Sequence, residues 1–229
     1  VGFHDTPVIV YKFRKVLMMR SHVDNPFPKS SQLNNLTINW EIYREKEPNE
    51  LIFGWFNGSQ GKLGDIGKVL AVGTQLGICG LGFSRVIGED KTWEHFEKKW
   101  SKARFKEDAE SLKRFVIPII NLEGQTTAIV SGPRQFMNIW ATLIKNVPTG
   151  KSMTYGELAT EAGIKKGFPR VAANAMSTNR LGLLIPCHRI EQKGQKSKKG
   201  QKYRWGIEIK TELRMLEQQN FSGAGSNPY

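Results

Sequence analysis

The residues 179–190 read Asn-Arg-Leu-Gly-Leu-Leu-Ile-Pro-Cys-His-Arg-Ile, an apolar run that delivers a Pro-Cys-His-Arg tetrad. A cysteine attacks as a thiolate, not as a thiol. His188 follows Cys187 directly, Arg189 adds positive charge that favours the thiolate, and Pro186 stiffens the approach. On an extended backbone adjacent side chains diverge, so a water is expected to bridge Cys187 and His188. A base also needs an orienting group. No acid lies close in sequence, but the helix expected over 207–219 offers Glu208, Glu212 and Glu217. A buried structural cysteine beside a core histidine stays open on these residues alone. No metal is expected, because four histidines and two cysteines are scattered at no ligand spacing.

The elements that must position this segment come next. Gly132-Pro133 opens a helix, and Phe136, Ile139, Trp140, Leu143, Ile144 and Val147 recur on one face of it. Thr154-Tyr155-Gly156-Glu157 has the spacing of a capping box, with Leu158, Ala159 and Ala162 buried behind it and Gly163 ending the helix. Pro169 restarts a helix through Met176. Two short helices about a glycine-containing turn read as a helix-turn-helix, though an ordinary helical hairpin has the same spacing. The second helix offers Arg170 and Asn174 as long polar side chains, and Ala172, Ala173 and Ala175 would let a backbone approach a groove. A tightly packed core helix needs the same small residues.

The 229 residues carry 34 Lys and Arg against 21 Asp and Glu, a net charge of +13. The first 128 residues hold 18 basic and 15 acidic side chains, and the last 101 hold 16 and 6. An excess of +10 in one half points that half to a polyanion. No apolar run approaches the roughly 18 residues of a membrane helix, and no signal peptide opens the chain. Two cysteines exclude a disulfide scaffold, so a reducing intracellular compartment is expected: cytoplasm and nucleoid in a prokaryote, nucleus in a eukaryote.

Residues 1–36 read as a loose arm with a short strand at Val8–Tyr11. Leu36–Tyr43, Leu51–Phe56, Ile66–Val72 and Leu76–Phe83 are β-prone runs, with turns at Asn57-Gly58 and Gly73-Thr74. Thr92–Trp100 and Asp108–Ile117 each gather apolar residues on one helical face. This half reads as a small antiparallel sheet covered by helices, over 37–125. A second domain follows over 126–221, with a tail at 222–229. The fold class is α+β.

Several motifs in order resemble the O6-alkylguanine-DNA alkyltransferases, in the form of the C-terminal half of Ada-type proteins. Ile185-Pro186-Cys187-His188-Arg189-Ile190 is similar to the family's active-site signature. Val147-Pro148-x-Gly150-Lys151-x-x-x-Tyr155-Gly156-Glu157-Leu158-Ala159 resembles its first motif helix. Arg170-Val171-Ala172-x-x-Ala175-Met176 with Asn179 resembles its recognition helix and hinge, and Tyr203-Arg204-Trp205-Gly206 its pocket loop.

The resemblance implies a ribonuclease-H-like N-terminal domain and a winged-helix-like C-terminal domain. It implies a monomer that binds duplex DNA containing O6-alkylguanine, without cofactor or metal. It implies alkyl transfer to Cys187 once per molecule, after the nucleotide is flipped out, with O4-alkylthymine as a further substrate. It makes His188, Glu217, Tyr155 and Asn179 the supporting catalytic residues. Arg170, as the finger that enters the stack, is joined on DNA by Ala172, Ala173, Asn174 and Ser177. Met176, Ile190, Tyr203 and Arg204 line the pocket. An Ada-like transcriptional regulator is the alternative. The loop Glu191–Lys202 departs from the family pattern in length and in its five lysines.

Overall fold

In a computed structural model of the chain, the residues described are 25–43, 49–165, 168–194 and 202–222, the last three by backbone alone. The strand expected at Val8–Tyr11 and most of the lysine-rich loop lie outside them.

Among the described residues, seven strands form one mixed sheet in the order β1-β2-β7-β5-β4-β3-β6. They are β1 (Ser30–Leu33), β2 (Asn35–Ile42), β3 (Glu50–Asn57), β4 (Lys68–Thr74), β5 (Gly77–Phe83), β6 (Arg104–Glu107) and β7 (Glu123–Val130). The expectation of an antiparallel sheet holds for β3-β4-β5 and for β1-β2, whereas β2/β7, β5/β7 and β3/β6 pair in parallel. Strand β1 and the start of β2 fall within the supposed arm. Strand β7 runs straight across the boundary placed between 125 and 126. Two turns also move. Asn57-Gly58 opens a 3-10 turn (Gly58–Gln60) in a longer β3–β4 connection. The β4–β5 reversal is at Gln75-Leu76, because β4 continues through Thr74.

Helices α1 (Glu89–Lys99) and α2 (Ala109–Asn121) pack on this sheet. Helix α2 runs past the expected end at Ile117, with Pro118 inside it. An interior proline costs about 3 kcal/mol, and here the continued turn buries Ile119 and Ile120. Gly80 and Gly82 leave β5 bare where Phe96 of α1 lies against it.

Four helices follow among the described residues: α3 (Arg134–Asn146), α4 (Tyr155–Glu161), α5 (Pro169–Thr178) and α6 (Ile207–Ser222). The capping box forms as its spacing predicts: the Glu157 amide donates to Thr154 Oγ1, and the Thr154 amide donates to Glu157 Oε2. Trp140 of α3 donates its indole N–H to the Ala175 carbonyl of α5 at 2.9 Å, fixing one helix on the other.

Two short strand pairings then place the chemistry. Met153-Thr154 (β8) pairs in parallel with Ile190-Glu191 (β9), which brings the start of α4 beside the residues after Cys187. Leu181 bridges to Leu81 of β5: the Leu81 amide donates to the Arg180 carbonyl, and the Gly182 amide to the Leu81 carbonyl. The segment that leads to Cys187 is thus hydrogen-bonded directly into the N-terminal sheet.

Candidate active site

Cys187 opens a 3-10 turn (Cys187–Arg189) and is half-buried. The turn is approached through Leu183, whose φ of 68° is left-handed. A leucine there carries strain of order 1–2 kcal/mol. Asn179, buried at the end of α5, braces the approach. Its Oδ1 accepts from the Leu181 amide at 2.9 Å, which fixes the orientation of the side-chain amide. Its Nδ2 then donates to the Ile185 carbonyl at 3.0 Å and to Cys187 Sγ at 3.2 Å. Tyr203 Oη lies 4.0 Å from the same sulfur. Burial pushes the Cys187 thiol up from its ordinary range, while Asn179, Tyr203 and the ammonium of Lys210 oppose that shift. The resting group is a thiol in a setting built to stabilise its anion.

His188 is fully buried and does not hydrogen-bond Cys187 directly. Its Nε2 lies 2.8 Å from Glu217 Oε1 on α6. A carboxylate accepts only, so Nε2 carries the proton and Nδ1 the lone pair. Nδ1 is buried without a protein partner. Burial holds the His188 imidazole below its ordinary value, against the pull of Glu217. Burial alone would raise the Glu217 carboxyl, but the hydrogen bond from His188 and the guanidinium of Arg189 prevail and hold it at about 2.

Arg189 is not beside the thiolate. Its fork faces Glu217, with Nε 3.0 Å from Oε2 and Nη2 2.9 Å from Oε1. It also donates to the Val147 carbonyl at 2.7 Å and to Thr149 Oγ1 at 3.2 Å. The Gly150 amide donates to Glu217 Oε2 at 3.1 Å. The cation near the sulfur is instead Lys210, buried on α6, whose Nζ donates to the Ile190 carbonyl at 2.6 Å. Lys210 was not singled out in the sequence, yet it stands seven residues before Glu217, on the same helical face.

The remaining site residues divide by burial. Tyr155 is half-buried, and its hydroxyl is raised by burial and by the charge of Cys187. Arg170, Asn174 and Ser177 share the exposed face of α5, with Ala173 half-exposed beside them. Ala172 is fully buried, so it packs in the core and cannot meet DNA. The Ile190 side chain is likewise wholly in the core rather than at an accessible pocket wall, and Met176 keeps only 8% exposure. Arg204 is exposed. It donates to the Ser177 carbonyl at the end of α5 and lies 3.0 Å from His95 Nδ1 on α1. Burial, then the cations Arg204, Lys99 and Arg180, push the His95 imidazole down to about 3, so it is neutral and accepts from Arg204.

A braced cysteine beside a buried His–Glu pair is an arrangement that can supply a thiolate nucleophile, here on a basic helical half. Residues 135–219 match the family model described as 6-O-methylguanine DNA methyltransferase, DNA binding domain. The methylated-DNA–protein-cysteine methyltransferase of Saccharomyces cerevisiae is 30% identical over 154 residues, covering 58% of this chain and 79% of that protein. The protein of the same name from Lodderomyces elongisporus is 27% identical over 138 residues, 60% of this chain and 58% of its own length. The bifunctional transcriptional activator/DNA repair enzyme Ada of Escherichia coli is 35% identical over 82 residues, 36% of this chain and 22% of Ada. The chain therefore spans less than two thirds of the last two relatives. The fold is similar to that of the Mycobacterium tuberculosis O6-methylguanine methyltransferase, with a TM-score of 0.57 at 20% identity over 74% of this chain and 94% of that one. The chain belongs to the methylated-DNA–protein-cysteine methyltransferase family.

Proposed function

We propose that this chain repairs O6-alkylguanine in duplex DNA by moving the alkyl group onto Cys187. The observation that carries this is the Asn179–Cys187 contact beside the His188–Glu217 pair, within the part of the chain that matches the family model. Neutral His188 offers the lone pair of Nδ1 and takes the thiol proton through a water. The Cys187 thiolate attacks the alkyl carbon in line. The sulfur–carbon bond forms as the carbon–O6 bond breaks, and Tyr155 donates a proton to the departing guanine. The thioether has no partner that would cleave it, so each molecule acts once. O4-alkylthymine presents the same carbon–oxygen bond and is a second substrate.

Stacking hides the reacting carbon, so the nucleotide is flipped out. Arg170 enters the gap while Asn174, Ser177 and Ala173 lie along the minor groove. Helices α4 and α5 act as a helix-turn-helix, with a winged-helix-like arrangement around them. The meander β3-β4-β5 with β6 in parallel beside β3 supports a ribonuclease-H-like description of the sheet. The protein works as a monomer inside the cell, in cytoplasm and nucleoid or in the nucleus. None of its described helices is long and apolar enough to cross a membrane.

The test is incubation with duplex DNA carrying labelled O6-methylguanine. Label ends on the wild-type protein and not on Cys187→Ala, which still binds the duplex. Label that stays on DNA would favour an Ada-like regulator, and label released to solvent a hydrolase.

A further inference from the structure

Phe168 is one of four large apolar side chains exposed among the described residues, at 52%. It is the N-cap of α5, followed by Pro169 at N1 and by Arg170, all three exposed. One turn further on, Ala172, Ala175 and Met176 are buried, so the apolar line of the helix runs out past its covered part and ends on a bare phenyl ring. A capping residue is normally a short polar one, and Phe168 makes no side-chain cap hydrogen bond. Neither capping nor core packing accounts for it. In sequence it stands three residues after exposed Lys165 and two before exposed Arg170, in the half of the chain with a net charge of +10.

An exposed aromatic ring at the start of the helix that offers Arg170, in the basic half of the chain, fits one occupant, the stacked bases of duplex DNA. We propose that Phe168 is a second wedge. It unstacks a base step near the one that Arg170 enters, since the two exposed residues stand two apart at the start of α5. Apolar wedges of this kind part base steps and kink the duplex toward the major groove. Arg170 fills the space the nucleotide leaves, and Phe168 loosens the stack that holds it. This inference rests on the alkyltransferase reading only for its choice of lesion.

The experiment uses the full chain and duplexes bearing O6-methylguanine with 2-aminopurine one or two steps away. Phe168→Ala is expected to weaken duplex binding by about 5- to 150-fold, the range for losing one base–aromatic stack. The slope of log affinity against log salt should not change, since no phosphate contact is lost. Lys165→Ala should instead flatten that slope by about 0.9. The 2-aminopurine signal that rises with wild type should fall with Phe168→Ala and return with Phe168→Trp. Label transfer from free O6-methylguanine, which needs no unstacking, should be the same for wild type and Phe168→Ala. Unchanged duplex binding by Phe168→Ala, a changed salt slope or an equal loss on the free base would each overturn the wedge. Failure of wild type to take label from any substrate would sink the alkyltransferase reading alone, because the binding and 2-aminopurine arms still decide Phe168.

Discussion

Replacing Glu217 by Gln removes the charge that both His188 and Arg189 require. Glu217 is 2% exposed and takes hydrogen bonds from His188, Arg189 and the Gly150 amide. Two routes give the size of the loss. The carboxyl is held at about 2 instead of 4.5. That depression corresponds to roughly 3 kcal/mol of stability at neutral pH. Breaking a buried ion pair by removing one partner costs about 3–5 kcal/mol. For a chain of this size the melting temperature should fall by about 6–20 °C. The sign with pH follows from the depressed value. The contribution is fully present above pH 4.5 and is lost as pH falls toward 2, so the two proteins should converge in acid. Urea unfolding from pH 7 down to pH 3 measures this. Glu217→Gln within about 0.5 kcal/mol of wild type at pH 7, the range of an inert surface change, would refute the reasoning. At pH 7 alkyl transfer should also slow by about 10²-fold or more, because an amide no longer enforces the Nε2–H tautomer of His188.

Other substitutions separate the remaining roles. Asn179→Ala strands the buried Leu181 amide, while the Ile185 carbonyl keeps the Cys187 amide as donor, for a loss of roughly 1–3 kcal/mol in chemical unfolding, and it lowers the reactivity of Cys187 toward iodoacetamide. Lys210→Met removes the ammonium that opposes the burial-raised Cys187 thiol, so the iodoacetamide rate profile should move to higher pH; an unmoved profile would show that Lys210 only packs. Arg170→Ala should slow transfer from duplex DNA and spare free O6-methylguanine, whereas Tyr155→Phe should slow both. Cys79→Ala should leave transfer intact, since burial pushes that thiol up to about 12.

The helical half was the more legible part in sequence. The capping box at Thr154 and Glu157, Pro169 opening α5, and the apolar stripe of α3 each depend on neighbours within a turn or two, and those signals are local. The sheet was less so. Strand β7 begins Glu-Gly-Gln-Thr, polar at its exposed end, and only its far half carries the buried Ala128, Ile129 and Val130. Strand β6 is an exposed edge strand, Arg-Phe-Lys-Glu, with no apolar run to mark it. Parallel pairing joins segments far apart in the chain, so no local pattern announces it. At the site, Cys187, His188 and Asn179 could be read because they share one short segment. The assignment of Arg189 to Glu217 and of Lys210 to the sulfur depends on how α6 returns across the turn. The inward face of Ala172 depends on which side of α5 packs against α3.

The bridge from Leu81 to Leu181 also bears on how the molecule is made. Strand β5 meets β7 only at Ile78 and Ala128, and further along its partner is the active-site segment, a hundred residues later. Until that segment arrives, a nascent sheet carries an open notch in its middle, with the backbone groups of Leu81 unpaired. Such a notch is a template for pairing with another chain. Segment 180–182 closes it, and Trp205 seals it, its ring lying where a side chain on Gly82 or Gly182 would have to go. The helical half therefore supplies the backbone partners that complete the sheet at Leu81. A ribosome-bound chain that stalls before residue 180 should be prone to aggregate.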